Sequence, residues 1–209
     1  MYDEDATRCQ QYSFMSARNM ERMVLMVSQS IQQSWSEVGM MLNDVEEKGL
    51  ESIYLNWQMK QDTYKYLKSN RDFMFGQLLA IKNSYKCDNA KAYSAMKVFL
   101  KVKGLNLVKA GFCVQLSFGL VGCFDSHNLA RYNIKNRNHL RINKDVTTFK
   151  GKARNEAKLI NYIDLCHSIG TKNMWNDWCY NLAQQERNKF KSGEEVSKAH
   201  YNYLIGEVI

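Results

Sequence analysis

The chain has 209 residues, 45% of them hydrophobic and 24% charged, which suits one domain or two small lobes sharing a cleft. No apolar run approaches the ~18 residues of a membrane span and nothing resembles a secretory leader, so a soluble, cytoplasmic protein is expected and a membrane partner is not. The net charge of +8 points instead to a polyanion, because it is concentrated. Residues 131–158 hold nine basic side chains against Asp145 and Glu156, and residues 85–109 hold six lysines against Asp88, leaving the rest of the chain net acidic.

No proline occurs, so single glycines and Asn/Asp clusters are the breakers. After a polar start, Met20, Met23, Val24, Val27 and Ile31 fall at helical spacing. Val38, Met41, Leu42 and Val45 do so again, with Gly49 as a stop. Ile53, Trp57, Tyr64 and Leu67 mark a third helix. A fourth runs from Asn70 or Asp72 as cap through Met74, Leu78 and Ile81. Asp88 caps the next, which turns Ala92, Ala95, Met96 and Phe99 inward. The turn Lys103-Gly104-Leu105-Asn106 leads into another helix, from Leu107 to about Phe118. Gly119 and Gly122 frame a tight connection that delivers Asp125 to a short helix over 126 to about 132.

A basic, Asn-rich stretch follows, and Val146-Thr147-Thr148-Phe149 is its most strand-like run. Leu159, Tyr162, Ile163 and Cys166 mark a helix ending near Gly170. Trp175, Trp178, Cys179 and Leu182 mark the next, at a spacing typical of core. A last helix begins around Ser192 to Glu195 and includes Val196, Tyr203 and Leu204. The pattern is that of a single all-α domain, with an N-terminal helical lobe over about 1–85 and a hairpin and C-terminal lobe over about 86–209.

The six cysteines include no C-x-x-C pair and mostly sit in apolar contexts, so reduced core thiols are expected. No histidine pairs with Cys or a carboxylate at metal-ligand spacing, so no metal site and no cofactor are expected. The turn at 103–106 needs backbone with φ > 0, which Gly104 supplies freely and Asn106 tolerates. A turn feeding a helix N-terminus aims free N–H groups outward, where they bind phosphate, and Lys101, Lys103 and Lys109 add charge. The same spacing also describes an ordinary helix connection with solvated lysines.

The string Val102-Lys103-Gly104-Leu105-Asn106-Leu107-Val108-Lys109-Ala110, followed by Phe124-Asp125-Ser126-His127, resembles the hairpin and catalytic-aspartate segments of the helix-hairpin-helix DNA glycosylase superfamily (HhH-GPD), the relatives of endonuclease III and adenine glycosylase. The resemblance covers residues 99–128. It implies a glycosylase-like fold of two helical lobes around a cleft, DNA as partner and a nucleotide flipped into the cleft. The departures from the family pattern imply a distant branch. Lys103 stands for the family's proline, Asn106 for its second glycine and Val108 for the Schiff-base lysine. The cysteines that would hold an iron–sulfur cluster are missing. A composition rich in Lys and Asn is common in products of AT-rich viral genomes, which places such a branch in the host cytoplasm.

By that resemblance Asp125 is the catalytic carboxylate, stabilising oxocarbenium character on the sugar and activating the nucleophile. An Asp before a helix is also the commonest kind of cap, and both roles hold together if Ser126 caps while Asp125 projects into the cleft. The expected nucleic-acid contacts are Lys101, Lys103, Gly104, Asn106 and Lys109 at the hairpin, His127 and Asn128 beside the aspartate, and Arg131, Arg137, Arg141, Lys150 and Lys152 on the basic stretch. Two chemistries fit: hydrolytic removal of a base, or group transfer to a modified pyrimidine as in viral base hypermodification. A non-catalytic DNA-binding or viral structural protein that keeps the hairpin explains the charge equally well.

Overall fold

A computed structural model describes residues 2–135 and 137–207, and among these the regular structure is entirely helical. The ten α-helices are α1 (Tyr2–Ser13), α2 (Ala17–Gln29), α3 (Trp35–Lys48), α4 (Gln58–Lys82), α5 (Asp88–Leu100), α6 (Leu107–Phe118), α7 (Ser126–Arg131), α8 (Phe149–Ile169), α9 (Thr171–Gln185) and α10 (Gly193–Ile205). Among the described residues no helix is long and apolar enough to cross a membrane.

The core grows outward from α2. Ser16 starts this helix by accepting from the Asn19 N–H at 3.1 Å, and every residue from Met20 to Gln29 is buried. Helices α1, α3, α4, α6 and α10 pack around it, which is why even its Glu21 and Arg22 are buried, each in an ion pair. Each of its fully buried Met, Val and Leu side chains contributes roughly 1.5–3 kcal/mol. Helix α10 packs on α9 and also on α1, α2 and α3, so the last helix lies against the first three.

Three local expectations change. The polar start is itself a helix, α1, which buries Ala6 and Cys9 and lies on α10 and α6. The third and fourth expected helices are one, because neither Asn70 nor Asp72 caps anything within α4. Asn70 Nδ2 donates back to the Tyr66 carbonyl at 2.9 Å, and Asp72 pairs with Arg71. The strand-like run at 146–149 is the entry to α8, with Thr148 Oγ1 accepting from the Gly151 N–H at 3.2 Å.

Candidate functional site

The hairpin between α5 and α6 turns at Gly104, whose φ of 86° few other residues adopt. A Cβ there would also lie 2.4 Å from Thr63 Oγ1 and 2.7 Å from the Met59 carbonyl, so the turn lies directly on α4. Thr63 Oγ1 fixes it by donating to the Lys103 carbonyl at 2.7 Å. Asn106 does not take the left-handed conformation expected of a glycine substitute. Its backbone is extended (φ −122°), and it is the N-cap of α6. Its Oδ1 accepts from the Leu107 and Ile142 N–H groups and its Nδ2 donates to the Ile142 carbonyl, so its side chain binds protein.

Helix α6 ends on Gly119, and the following segment is bolted down by α8. Tyr162 Oη donates to the Gly122 carbonyl at 2.8 Å and accepts from the Phe124 N–H, while His167 bonds the Leu120 carbonyl. This delivers Asp125 to the start of α7. Asp125, and not Ser126, is the N-cap: its Oδ1 accepts from the backbone N–H of His127 at 3.0 Å and of Asn128 at 3.2 Å. Its Oδ2 accepts from the Trp178 indole N–H, so the carboxylate is fixed from two directions. Among the described residues the indole is the one donor to Oδ2, which keeps a further lone pair.

The hairpin and Asp125 open onto one cleft of about 820 Å³, within the range of small-molecule sites. Gly104, Asn106, Val108 and Lys109 form one wall and Asp125, Ser126 and His127 another. Leu140 and Arg141 lie at the side, and residues 30–35 face Trp178, Leu182, Gln185 and Glu186. Behind Asp125 the wall is aromatic: Trp178 meets Trp35 edge-on at 5.4 Å and His127 at 6.4 Å. His200 stacks on Trp35 at 4.0 Å, and complete burial pulls its imidazole down to about 3, so it is neutral.

Lysine positions decide what covalent chemistry the cleft offers. Val108 lines it at the position where the resemblance looks for a Schiff-base lysine. Lys109 lines it too, with its Nζ donating to Ser30 Oγ at 3.0 Å, and so faces the chamber more directly than a purely external phosphate contact would. Lys60 lies behind the 30–35 segment and donates to Gln29 Oε1 at 3.2 Å; burial first, and then the Lys109 charge, pull it down to about 8. Burial pushes the thiols of Cys113, Cys123 and Cys166 up, leaving them poor nucleophiles. Among the described residues no three His, Cys, Asp or Glu side chains gather as for a metal ion.

The remaining expected contacts divide. Lys101, Lys103, Arg137, Arg141, Lys150 and Lys152 are exposed, and Arg141 reaches the cleft. Arg131 is half-exposed and pairs with Asp177 at 3.3 Å, a carboxylate that also accepts from Tyr132. Asn128 is fully buried, its Nδ2 donating to the Cys123 and Met174 carbonyls, so it braces α7 and reaches no ligand surface. Two features of the site have no marker in the sequence. Gln32 on the cleft rim holds φ at +55°, an uncommon conformation for its type. Glu186, at the far end of α9, caps α3: its Oε1 accepts from the Trp35 N–H at 2.7 Å and its Oε2 from Ser34 Oγ and the Ser36 N–H.

No family model, curated protein or solved structure matches the chain.

Proposed function

We propose that this protein acts on bases in DNA, taking an extruded nucleotide into the cleft beside Asp125. The observation that carries the reading is the shared chamber: a lysine-bearing hairpin and a fixed carboxylate line the same 820 Å³ space, with an indole wall against which a base can rest. The hairpin and the basic side chains around Arg141 hold the backbone, and Asp125 stands near the sugar. Its charge stabilises the cation that develops as the glycosidic bond stretches, and the free lone pair on Oδ2 can take a proton from the attacking group. Either hydrolysis or group transfer to a modified pyrimidine uses these parts. With Val108 at the lyase position and Lys109 tied to Ser30, base removal proceeds without a covalent DNA adduct.

Incubation with DNAs carrying natural, damaged and virally modified bases, read by nucleoside mass spectrometry, tests this directly. A base lost or altered by the wild type and untouched by Asp125→Asn supports it. Borohydride trapping of a DNA adduct contradicts the monofunctional form. Affinity should fall with salt, and neutralising Arg137, Arg141, Lys150 and Lys152 together should cut the log–log slope on duplex by about 3.6. An unchanged slope removes the basic face from the proposal. The cap bonds on Asp125 Oδ1 favour a second reading, a non-catalytic DNA-binding protein, for which the same panel returns every base intact while the salt dependence remains.

A further inference from the structure

The first turn of α8 carries an aromatic ring that the cleft does not use. Phe149 is 89% exposed. Lys150, Lys152 and Arg154 follow it, all exposed, with no acidic residue before Glu156. An apolar docking face gathers several large hydrophobic side chains. Here one ring stands among cations, with Ala153 the nearest exposed apolar residue along the helix. That combination matches an unpaired nucleobase, whose face stacks on a ring while its flanking phosphates meet lysines.

The ring sits on a rigid support that is tied to the hairpin. Thr148 caps α8 through its hydroxyl to the Gly151 N–H, and its carbonyl accepts from the Lys152 N–H at 2.9 Å. A Cβ on Gly151 would lie 2.2 Å from Val146 Cγ1, so the incoming chain lies directly on the first turn. Upstream, residues 141–144 are clamped between two elements. Asn106 and Val102 of the hairpin bond Ile142 and Lys144, while Asn155 and Lys158 of α8 bond Asn143 and Arg141. One surface therefore runs from Arg141 on the cleft wall, past Lys144, to the tip of α8.

We propose that this tip is a single-strand contact, in which Phe149 stacks on an unpaired base of a DNA strand leaving the cleft and Lys150 and Lys152 hold the phosphates beside it. This rests on the reading that the cleft takes DNA, and it adds that the DNA is melted or single-stranded on this side. The helix start that carries the ring is already ordered, so stacking has only the side chain left to settle.

Fluorescence anisotropy with a labelled oligothymidine and with a blunt duplex tests it. Phe149→Ala and Phe149→Leu should each weaken single-strand binding roughly tenfold with the salt slope unchanged, while Phe149→Trp retains it. Lys150→Gln with Lys152→Gln should lower the single-strand slope by about 1.4, and the blunt duplex should be indifferent to Phe149→Ala. Equal single-strand binding by wild type and Phe149→Ala, or full retention by Phe149→Leu, overturns the stacking contact. So does loss of binding to phosphatidylserine vesicles in Phe149→Ala with single-strand affinity untouched, which would assign the ring to a lipid surface. Failure of the cleft reading looks different: single strands bind through Phe149 while every base in the panel stays intact. Altered bases with Phe149→Ala indistinguishable from wild type keep the cleft reading and remove this contact.

Discussion

Two carboxylates line the cleft, each bonded to the start of a helix, and they differ in which partners their oxygens meet. Glu186 gives Oε1 to the Trp35 N–H and Oε2 to Ser34 and Ser36, all on a helix remote in sequence. Asp125 caps its own helix with Oδ1 alone and turns Oδ2 to a single indole N–H. Each carboxylate accepts three bonds, two on one oxygen and one on the other, but Glu186 spends all three on the start of α3, while Asp125 turns one oxygen wholly away from the helix it caps. Cap and reactive group are compatible roles where one oxygen suffices for the cap. A helix-start aspartate should be judged by what its second oxygen meets.

The largest effect expected from breaking this contrast is at Asp125. Asp125→Asn keeps an oxygen for the cap, removes the charge and sets an NH2 against the Trp178 indole N–H, so turnover by the proposed enzyme should drop by roughly a thousandfold with DNA affinity nearly unchanged. Single-turnover kinetics with anisotropy on the same protein separates the two. A parallel fall in affinity and rate would make Asp125 structural. Glu186 should behave in the opposite sense. Glu186→Ala leaves the first N–H groups of α3 unpaired and should cost about 2 kcal/mol of unfolding free energy in denaturant titration. A stable Glu186→Ala protein that has lost turnover would instead move the chemistry to the α3 wall.

The contrast also explains how far the sequence could be read. Helical periodicity located most of the core, since Met20, Met23, Val24 and Val27 bury together on α2. The turn glycine and Asp125 were legible because φ > 0 and helix starts have few residue solutions. Helix α1 was not, because Ala6 and Cys9 are too small a buried stripe to stand out from its polar residues. Asn106 resembled a glycine substitute, yet its side-chain bonds to Ile142 depend on a loop that returns 36 residues later. Glu186 meets α3 across about 150 positions, and Trp178 meets Asp125 across 53, so no spacing rule connects either pair. Local chemistry named one wall of the cleft; the other exists only through tertiary contact.

The smallest effect concerns the aromatic cluster behind Asp125, where Trp35 of α3, Trp178 and His200 each touch the other two. His200 donates from Nδ1 to the Val196 carbonyl, and among the described residues its buried Nε2 has no partner. Burial lowers its folded-state value to about 3 from an ordinary 6.5, so the unfolded chain binds the extra proton between those limits. The sign follows from linkage: stability is full above about 6.5 and falls as pH drops toward 3, by about 1.4 kcal/mol per unit. His200→Leu removes that titration and keeps an apolar filler against Trp35. The variant should match wild type within about 1 kcal/mol at pH 8 and exceed it by about 2 kcal/mol at pH 5, all other groups cancelling in the comparison. Equal pH slopes for the two proteins in urea titrations would mean that the imidazole charges freely inside the fold. The aromatic wall behind Trp178 would then be open to water, and the proposed chemistry at Asp125 would lose its shielded surroundings.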